Sequence, residues 1–309
     1  MTIRVVKPGF FTTVQDRARF GCAHLGISPA GAADLLSLRI ANLLVGNDQY
    51  APALEMTLLG AMLGFEERTI LAISGANCEC RLGQDRLAAN SAVEASAGMV
   101  LQCGSTTDGA RSYLAVQGGF DVPLVMGSAS TDIRGRFGGH DGRRLQAGDV
   151  LHIRRAEKAR GRPLRTGALD QMKRTGPIRV TRGVQHDWFS VDAYANFLAA
   201  TYTVSEQSDR AGLRLKGVAI LPRESKQLLT DGIPLGAIQV PQDGQPIILF
   251  VDQQTTGGYP KIANVIAADM RRIGQLRPRD GVQFAEVSIA NAIEALRAQE
   301  RWLKEIWQD

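Results

Sequence analysis

The chain has 309 residues, 44% of them hydrophobic and 22% charged, which is the composition of a folded globular protein and excludes a disordered or fibrous one. The formal net charge is +5, but residues 154–174 alone carry eight basic and two acidic side chains. The excess is therefore local, and without interleaved aromatic residues it predicts no nucleic-acid partner.

The predicted elements are mainly short strands separated by turns. The sequence contains 33 glycines, several of them in pairs, which favours tight turns between strands. Short segments rich in β-branched residues and bounded by Gly, Asp or Pro predict ten strands, at residues 69–74, 99–103, 113–117, 149–153, 178–181, 202–205, 213–220, 237–240, 247–251 and 282–288.

Four segments predict helices, three from apolar residues at helical spacing and 262–273 from its flanking residues Pro260 and Gly274. They lie at residues 34–45, 187–199, 262–273 and from Ser288 onward. Gly46 ends the first, Pro260 precedes the third, and Ser288 is a suitable N-cap for the last. Many short strands with few helices predict a β-rich α+β fold of two lobes and argue against a doubly wound nucleotide-binding sheet.

A basic stretch containing glycine and proline, residues 156–176, is the predicted boundary between the lobes. It separates an N-terminal part, residues 1–155, from a C-terminal part, residues 177–309. A solvated linker or loop is the simpler interpretation of such a stretch. Docking to an acidic partner or a phosphate is the alternative, because a positive patch can steer anions.

Cysteine use and hydropathy predict a cytoplasmic protein. Four cysteines in a chain of this length do not make a disulfide framework. The first residues lack the long apolar stretch of a signal peptide. No apolar run reaches the roughly 20 residues of a membrane helix, so we also expect no membrane association.

Several familiar chemical motifs are absent from the sequence. There is no Walker A loop, no Gly-x-Gly-x-x-Gly after a strand, no His-Glu-x-x-His and no Gly-x-Ser-x-Gly. The four histidines are scattered, and we expect no metal site. Gln171 and Arg174 flank Met172-Lys173 where biotin carriers have other residues, so we expect no biotin attached to this chain.

The densest polar segment is residues 252–261, with the sequence DQQTTGGYPK. It follows the predicted strand 247–251 and precedes the predicted helix 262–273. A Thr-Thr-Gly-Gly turn at a helix N-terminus would present hydroxyl and backbone N–H groups to a carboxylate, a phosphate or a developing oxyanion. Lys261 adds a positive charge and Asp252 a carboxylate. An elaborate turn without a ligand is the alternative.

Two further polar segments are candidates for the same site. Residues 12–21 include Gln15 and Asp16 after a Thr-Thr pair, and residues 204–215 include Asp209 and Arg210 between two predicted strands. The Asp-Arg pair could be an ion pair or a substrate clamp. In both segments, a purely structural role in holding the loop is equally open.

Seven segments in order resemble the KipA family. They are residues 12–21, 41–47, 54–60, 183–189, 208–214, 231–241 and 254–261, so the resemblance extends over about residues 3–285. Members of this family are also described as subunits of 5-oxoprolinase, as allophanate hydrolase subunit 2, or as the A/B portion of a urea carboxylase carboxyltransferase domain. Gln253 stands where the family commonly has arginine.

The resemblance implies a fold, an activity and partners. At least one lobe is expected to be a cyclophilin-like β-barrel, and the lobes may exchange segments. The activity it implies is a hydrolase that opens 5-oxo-L-proline to L-glutamate with ATP. The partners it implies are two further chains of a hetero-oligomer, one KipI-like and the other LamB/YcsF-like. ATP would be bound by, or shared with, one of these partners.

The leading hypothesis is therefore a subunit of an ATP-dependent 5-oxoprolinase-type amidohydrolase. It is favoured because no biotin carboxylase or carrier is fused within the sequence. The catalytic residues expected are Lys261, Asp252 and Thr256. The residues expected to bind the small amide substrate are Thr255, Gly257, Gly258, Tyr259, Gln254, Gln15, Asp16, Asp209 and Arg210.

Two other functions stay open. The first is a biotin-dependent carboxyltransferase subunit that acts on urea or a related amide. The second is a non-catalytic KipA-type antagonist of a KipI-like histidine-kinase inhibitor. Allophanate hydrolysis itself is disfavoured, because the sequence shows no Gly/Ser-rich amidase signature.

Overall fold

The computed structural model describes residues 1–155, 161–169, 175–223 and 228–308. Two parts of the predicted linker 156–176, residues 156–160 and 170–174, lie outside these residues, and the second part includes Met172-Lys173. The chain forms two compact units, and neither is one continuous stretch of sequence. Unit 1 comprises Met1–Phe20, Ala30–Ala168 and Ile306–Asp309, and unit 2 comprises Gly21–Pro29 and Leu169–Glu305.

Unit 1 is built on a nine-stranded antiparallel sheet and one helix, α1. The order along the sheet is β2-β3-β8-β4-β1-β9, and β5 pairs with β6, β7 and β8. The elements are β1 (Thr2–Lys7), β2 (Phe11–Gln15), α1 (Leu35–Leu44), β3 (Ala53–Thr57), β4 (Met62–Phe65), β5 (Thr69–Leu82), β6 (Asp85–Arg86), β7 (Ala92–Ala95), β8 (Val100–Val116) and β9 (Val150–His152).

The long pair β5 and β8 forms the centre of unit 1. The sequence predicts β8 as two strands, residues 99–103 and 113–117, because the residues between them are polar and include two glycines. The strand continues through them because β5 pairs with it along its length, with irregularities in register between Gly75 and Cys80. Helix α1 packs against both strands and confirms the prediction at residues 34–45. The Asp34 side chain caps it by accepting from the Ser37 N–H at 3.1 Å.

Unit 2 is built on an eight-stranded sheet that curls into a nearly closed barrel. The order is β18-β11-β12-β15-β14-β17-β10-β19, and a separate pair joins β13 and β16. The elements are β10 (Ile178–Arg182), α2 (Val191–Ala199), β11 (Tyr202–Val204), β12 (Gly212–Lys216), β13 (Asp231–Gly232), β14 (Ala237–Gln239), β15 (Ile247–Leu249), β16 (Thr256–Gly257), β17 (Lys261–Val265), α3 (Met270–Ile273), β18 (Gly281–Val282), β19 (Phe284–Glu286) and α4 (Ile289–Glu305).

The predicted helix at residues 262–273 is wrong over most of its length. Residues Lys261–Val265 form strand β17, between β14 and β10, and only Met270–Ile273 is α-helical. Ile262 and Ala263 are both fully buried although they point to opposite faces of the strand. A run buried on both faces has no strand period and is easily mistaken for a helix. Residues 252–260 therefore precede a strand, where the sequence predicted the N-terminus of a helix.

The other helices of unit 2 are close to prediction. Helix α2 begins at Val191, after a short 3-10 turn at His186–Trp188, and Ser190 caps it by accepting from the Ala193 N–H. Helix α4 begins directly after Ser288, whose hydroxyl accepts from the Asn291 N–H at 3.1 Å. The β-rich α+β prediction is confirmed. No helix in the described part of the chain is long and apolar enough to cross a membrane.

Candidate functional site

Lys261 is the first residue of β17, and its backbone is fixed by the segment that follows β10. The Lys261 N–H donates to Gln185 Oε1 at 3.1 Å, and the Gln185 N–H donates to the Lys261 carbonyl at 3.2 Å. A Cβ on Gly183 would lie 2.1 Å from that carbonyl oxygen, so no other residue fits there. The two segments together hold the lysine in one place.

The Lys261 side chain is buried without a hydrogen bond. The residue is 2% exposed, and its Nζ has no hydrogen-bond partner among the described residues. Its charged neighbour within 4 Å in these residues is Asp231, whose Oδ2 lies 3.8 Å from Nζ. An ammonium group has three donors, and burying it without acceptors costs several kcal/mol. Such a group is suited to receive an oxygen atom that carries negative charge.

Asp231 is placed beside Lys261 by a short strand pair. Strand β13 pairs with β16, so that Asp231 lies opposite Gly257 and Gly232 lies opposite Thr256. The Asp231 carboxylate is also held by the Gly232 N–H, at 2.7 Å from Oδ1. The Thr-Thr-Gly-Gly segment thus acts as a strand and not as a helix cap. Sequence reasoning assigned Asp231 no role.

Gly257 lies between two side-chain amides. A Cβ built on it would lie 3.1 Å from Nε2 of both Gln239 and Gln254, and 2.6 Å from Ile233 Cδ1. Gln239 is buried and pairs with Lys261 across β14 and β17, whereas Gln254 is exposed. Amide N–H groups are donors that suit a carbonyl or carboxylate oxygen. Gln239 was missed by sequence reasoning, because only strand pairing brings it to the loop.

Gln253 supplies a buried acceptor. Its Nε2 donates to the Ile233 carbonyl at 2.9 Å, which leaves Oε1 buried and without a partner in the described residues. Its backbone carbonyl accepts from the Ser28 hydroxyl at 2.5 Å. Ser28 belongs to Gly21–Pro29, the early segment of the chain that forms part of unit 2. An amide N–H of a ligand would satisfy Oε1.

Asp252 and Arg210 form a buried ion pair with two hydrogen bonds. Arg210 Nε lies 2.8 Å from Asp252 Oδ2, and Nη2 lies 3.0 Å from Oδ1. Both carboxylate oxygens are therefore engaged, so the arrangement favours a positioning role for Asp252. Asp209 Oδ1 accepts from the N–H groups of Ala211 and Gly212, which closes the turn before β12.

The rest of the loop is nearer to solvent. Thr256, Gly258 and Tyr259 are exposed, and Thr255 is half-buried with its carbonyl accepting from the Ile233 N–H at 3.0 Å. These groups form an accessible edge next to the buried lysine. Hydroxyl groups at such an edge can donate to or accept from a polar ligand.

Gln15 and Asp16 belong to unit 1, while the other ten predicted site residues belong to unit 2. The Asp16 carboxylate accepts from Ser128 Oγ at 2.7 Å, Ser130 Oγ at 2.5 Å and the Ala129 N–H at 2.7 Å. Gln15 Nε2 donates to Thr13 Oγ1 and to the Thr131 carbonyl, while its Oε1 is buried without a partner in the described residues. Within unit 1, Asp16 thus organises the loop that covers the edge of β2.

Comparisons with known proteins agree on one family. The sequence model described as "Carboxyltransferase domain, subdomain A and B" matches residues 25–286. A protein of Escherichia coli (strain K12) that is named as one of the subunits of 5-oxoprolinase is 39% identical over 304 residues, which cover 98% of this chain and 97% of that protein. The protein of the same name from Haemophilus influenzae is 38% identical over 300 residues, which cover 95% of this chain and 94% of that protein.

Urea-metabolising enzymes are similar over part of their length. The urea amidolyase of Saccharomyces cerevisiae is 32% identical over 98% of this chain and 18% of that protein. The crystal structure of the K. lactis urea amidolyase matches with a TM-score of 0.94 at 32% identity, over 100% of this chain and 20% of that one. The resemblance to the KipA family, whose members include these carboxyltransferase domains, is thereby confirmed. The chain belongs to the family of carboxyltransferase domains formed by subdomains A and B.

Proposed function

We propose that the chain is a subunit of an ATP-dependent 5-oxoprolinase, which opens 5-oxo-L-proline to L-glutamate, and that unit 2 holds the amide substrate. The observation that carries the proposal is the buried ammonium of Lys261, which has no hydrogen-bond partner in the described residues and lies beside an amide-lined loop. Two relatives named as subunits of 5-oxoprolinase align with nearly the whole chain, which supports this substrate.

Each group at the site has a role that follows from its chemistry. Lys261 Nζ would contact the amide oxygen, where negative charge develops when the carbonyl is attacked. Gln253 Oε1 would accept the ring N–H, and the Nε2 groups of Gln239 and Gln254 would donate to substrate oxygens. Asp252 would hold Arg210 and the start of the loop in place.

The exposed loop residues would complete the substrate contact. Thr255 and Thr256 would offer hydroxyl groups, Gly257 and Gly258 would let the substrate approach the backbone, and Tyr259 would cover it. Asp209 is proposed to act on the same substrate, and substrate binding by Gln15 stays a prediction. For Asp16, the hydrogen bonds favour the positioning of its loop.

ATP is proposed to be held by, or shared with, a partner chain of the complex. Binding of a triphosphate with its magnesium ion needs several cations or N–H donors, whereas the unit 2 site offers one unpartnered cation in its described part. Those residues also contain no group of three His, Cys, Asp or Glu side chains able to hold a metal. The described residues of the unit 2 site therefore do not fit ATP.

The partners proposed are a KipI-like chain and a LamB/YcsF-like chain, in the cytoplasm. None of the four cysteines, all of which lie in the described residues, forms a disulfide, and this supports a reducing compartment. The test is to purify the chain alone and with both partners, and to measure glutamate release from 5-oxoproline with and without ATP. ATP-dependent glutamate that requires all three chains supports the proposal, and a well-formed complex without turnover refutes it.

Carboxyl transfer to urea or a related amide is the second candidate. It is favoured by the TM-score of 0.94 to the K. lactis urea amidolyase. The same site would then hold an amide nitrogen that accepts a carboxyl group from carboxybiotin, and biotin would be carried by another chain or domain. The discriminating measurement adds a biotinylated carrier, its carboxylase, bicarbonate, ATP with magnesium and urea to the purified chain and follows carboxylated urea.

A further inference from the structure

The contact between Lys261 and Asp231 is unequal in burial. The lysine side chain is 3% exposed and the aspartate side chain 60%. The distance of 3.8 Å from Nζ to Oδ2 is too long for a hydrogen bond. The carboxylate is already in contact with water, so separation from Nζ costs it little solvation, while the ammonium is enclosed by the protein. The aspartate is the movable partner of the two.

The backbone nevertheless keeps Asp231 at the entrance to Lys261. Strand β13 pairs with β16, and the Gly232 N–H holds Oδ1. A tethered group competes with free ligands at an effective concentration in the millimolar range or above. A free anion that binds Lys261 must therefore displace a carboxylate that is always nearby.

We propose that Asp231 is an internal competing anion, which keeps simple anions such as sulfate and phosphate away from Lys261 and so determines the specificity of the site. This deepens the function proposed above and rests on it for the identity of the substrate. An amide substrate displaces Asp231 because it forms further hydrogen bonds besides the contact of its oxygen with Lys261. Its N–H can satisfy Gln253 Oε1, and its other oxygens can accept from Gln239 and Gln254, whereas sulfate has no N–H to offer.

The first test measures sulfate binding by the full chain, without turnover. The variants are Asp231→Asn, the double variant Asp231→Asn with Lys261→Met, and Asp243→Asn as a control. Asp243 is another exposed aspartate of unit 2 that accepts a turn N–H, from Gln245. Sulfate stabilises most proteins by exclusion from the surface, so only differences between variants count.

We expect sulfate to raise the melting temperature of Asp231→Asn by about 3 °C more than that of the native chain, because binding to the folded state stabilises it. The extra rise should vanish in the double variant, and Asp243→Asn should behave as the native chain. Equal rises in all four proteins, or an extra rise that survives in the double variant, would overturn the proposal.

The second test uses the assembled complex and 5-oxoproline. Sulfate should inhibit the Asp231→Asn complex competitively, raising KM for 5-oxoproline at least about fivefold with kcat unchanged, and should leave the native complex almost unaffected. Equal inhibition of both complexes would count against Asp231. A native complex without turnover would instead refute the proposed function, and the melting experiment would still decide the role of Asp231.

Discussion

The guanidinium of Arg210 binds both carboxylate oxygens of Asp252 at 2.8 and 3.0 Å, and both residues are buried. The pair joins the turn before β12 to the start of the 252–261 loop, and the Asp252 N–H also donates to the Arg210 carbonyl at 2.8 Å. The loop that precedes Lys261 is thus anchored at one end by a charge pair.

Removing one partner of this pair should destabilise the protein strongly. We expect Arg210→Met or Asp252→Leu to lower the free energy of unfolding by about 3–5 kcal/mol, because the remaining charge is left buried and uncompensated. The double variant should recover most of that loss. Urea denaturation measures the free energy of unfolding of the two single variants and the double variant. The control is the exposed pair Arg279 and Glu206, whose disruption should cost less than about 1 kcal/mol. Similar losses for both pairs would contradict the prediction.

Lys261→Met should separate stability from activity. Replacing a buried ammonium that lacks hydrogen bonds with an apolar side chain should leave the free energy of unfolding unchanged or raise it by about 1 kcal/mol. Turnover of 5-oxoproline by the complex should fall at least about 100-fold. The matched control is Lys216→Met, an exposed lysine of strand β12. Full turnover in a normally assembled Lys261→Met complex would remove Lys261 from the mechanism.

Gly257→Ala should impair substrate binding more than Gly258→Ala. The Cβ at residue 257 would approach Nε2 of Gln239 and Gln254 to 3.1 Å, whereas the Cβ at 258 meets only the Leu228 carbonyl at 3.3 Å. We expect KM of the first variant to rise about tenfold or more, since small displacements at a binding site are costly. Steady-state kinetics on the two complexes makes the comparison. An equal effect would place the substrate elsewhere.

The acid stability of unit 1 should depend on Asp149. Hydrogen bonds from Arg143, at 2.7 and 2.8 Å, lower the pKa of Asp149 to about 2. The folded state thus favours the ionised form, so the stabilisation is complete above about pH 4 and is lost as pH falls through about 2. Asp149→Asn should cost about 2 kcal/mol at neutral pH and almost nothing near pH 2.

Unfolding free energies of the native chain and Asp149→Asn as a function of pH check this. Asp141→Asn is the control, because its carboxylate is exposed and lies 3.5 Å from Arg143. If the unfolding free energies of the native chain and Asp149→Asn differed by the same amount down to pH 2, the asparagine would act through packing and not through the lost charge.

Local signals in the sequence were sufficient for part of the fold. The predicted N-cap Ser288 located the start of α4, since capping involves residues only three apart, whereas Asp34, predicted as the first residue of its helix, is the N-cap of α1. The residues of β17 gave no such signal, because a strand buried on both faces shows neither a strand nor a helix period. The middle of β8 was not predicted as a strand for a similar reason, because pairing with β5, which is distant in sequence, holds its polar residues in the strand.

The residues of the candidate site also fall into those that the sequence could predict and those that it could not. Lys261 and Gly257 could be predicted as site residues because the short segment 252–261 contains two threonines, two glycines and a lysine. Asp231 and Gln239 reach the same place only through the pairings of β13 with β16 and β14 with β17. Such register depends on the whole sheet and leaves no spacing in the sequence. Burial of Nζ without a hydrogen bond is visible only in three dimensions.

The hydrogen bond from Ser28 to Gln253 also imposes an order of events on the ribosome. The two residues are 225 positions apart, so at about 5–20 residues per second the early segment is made some 10–45 s before its acceptor exists. Throughout that time the Ser28 hydroxyl lacks this acceptor, although residues 30–168 of unit 1 are all made before residue 253. A stalled nascent chain ending near residue 200 would therefore carry Ser28 without its acceptor, and this hydrogen bond could fix the segment Gly21–Pro29 only late in translation.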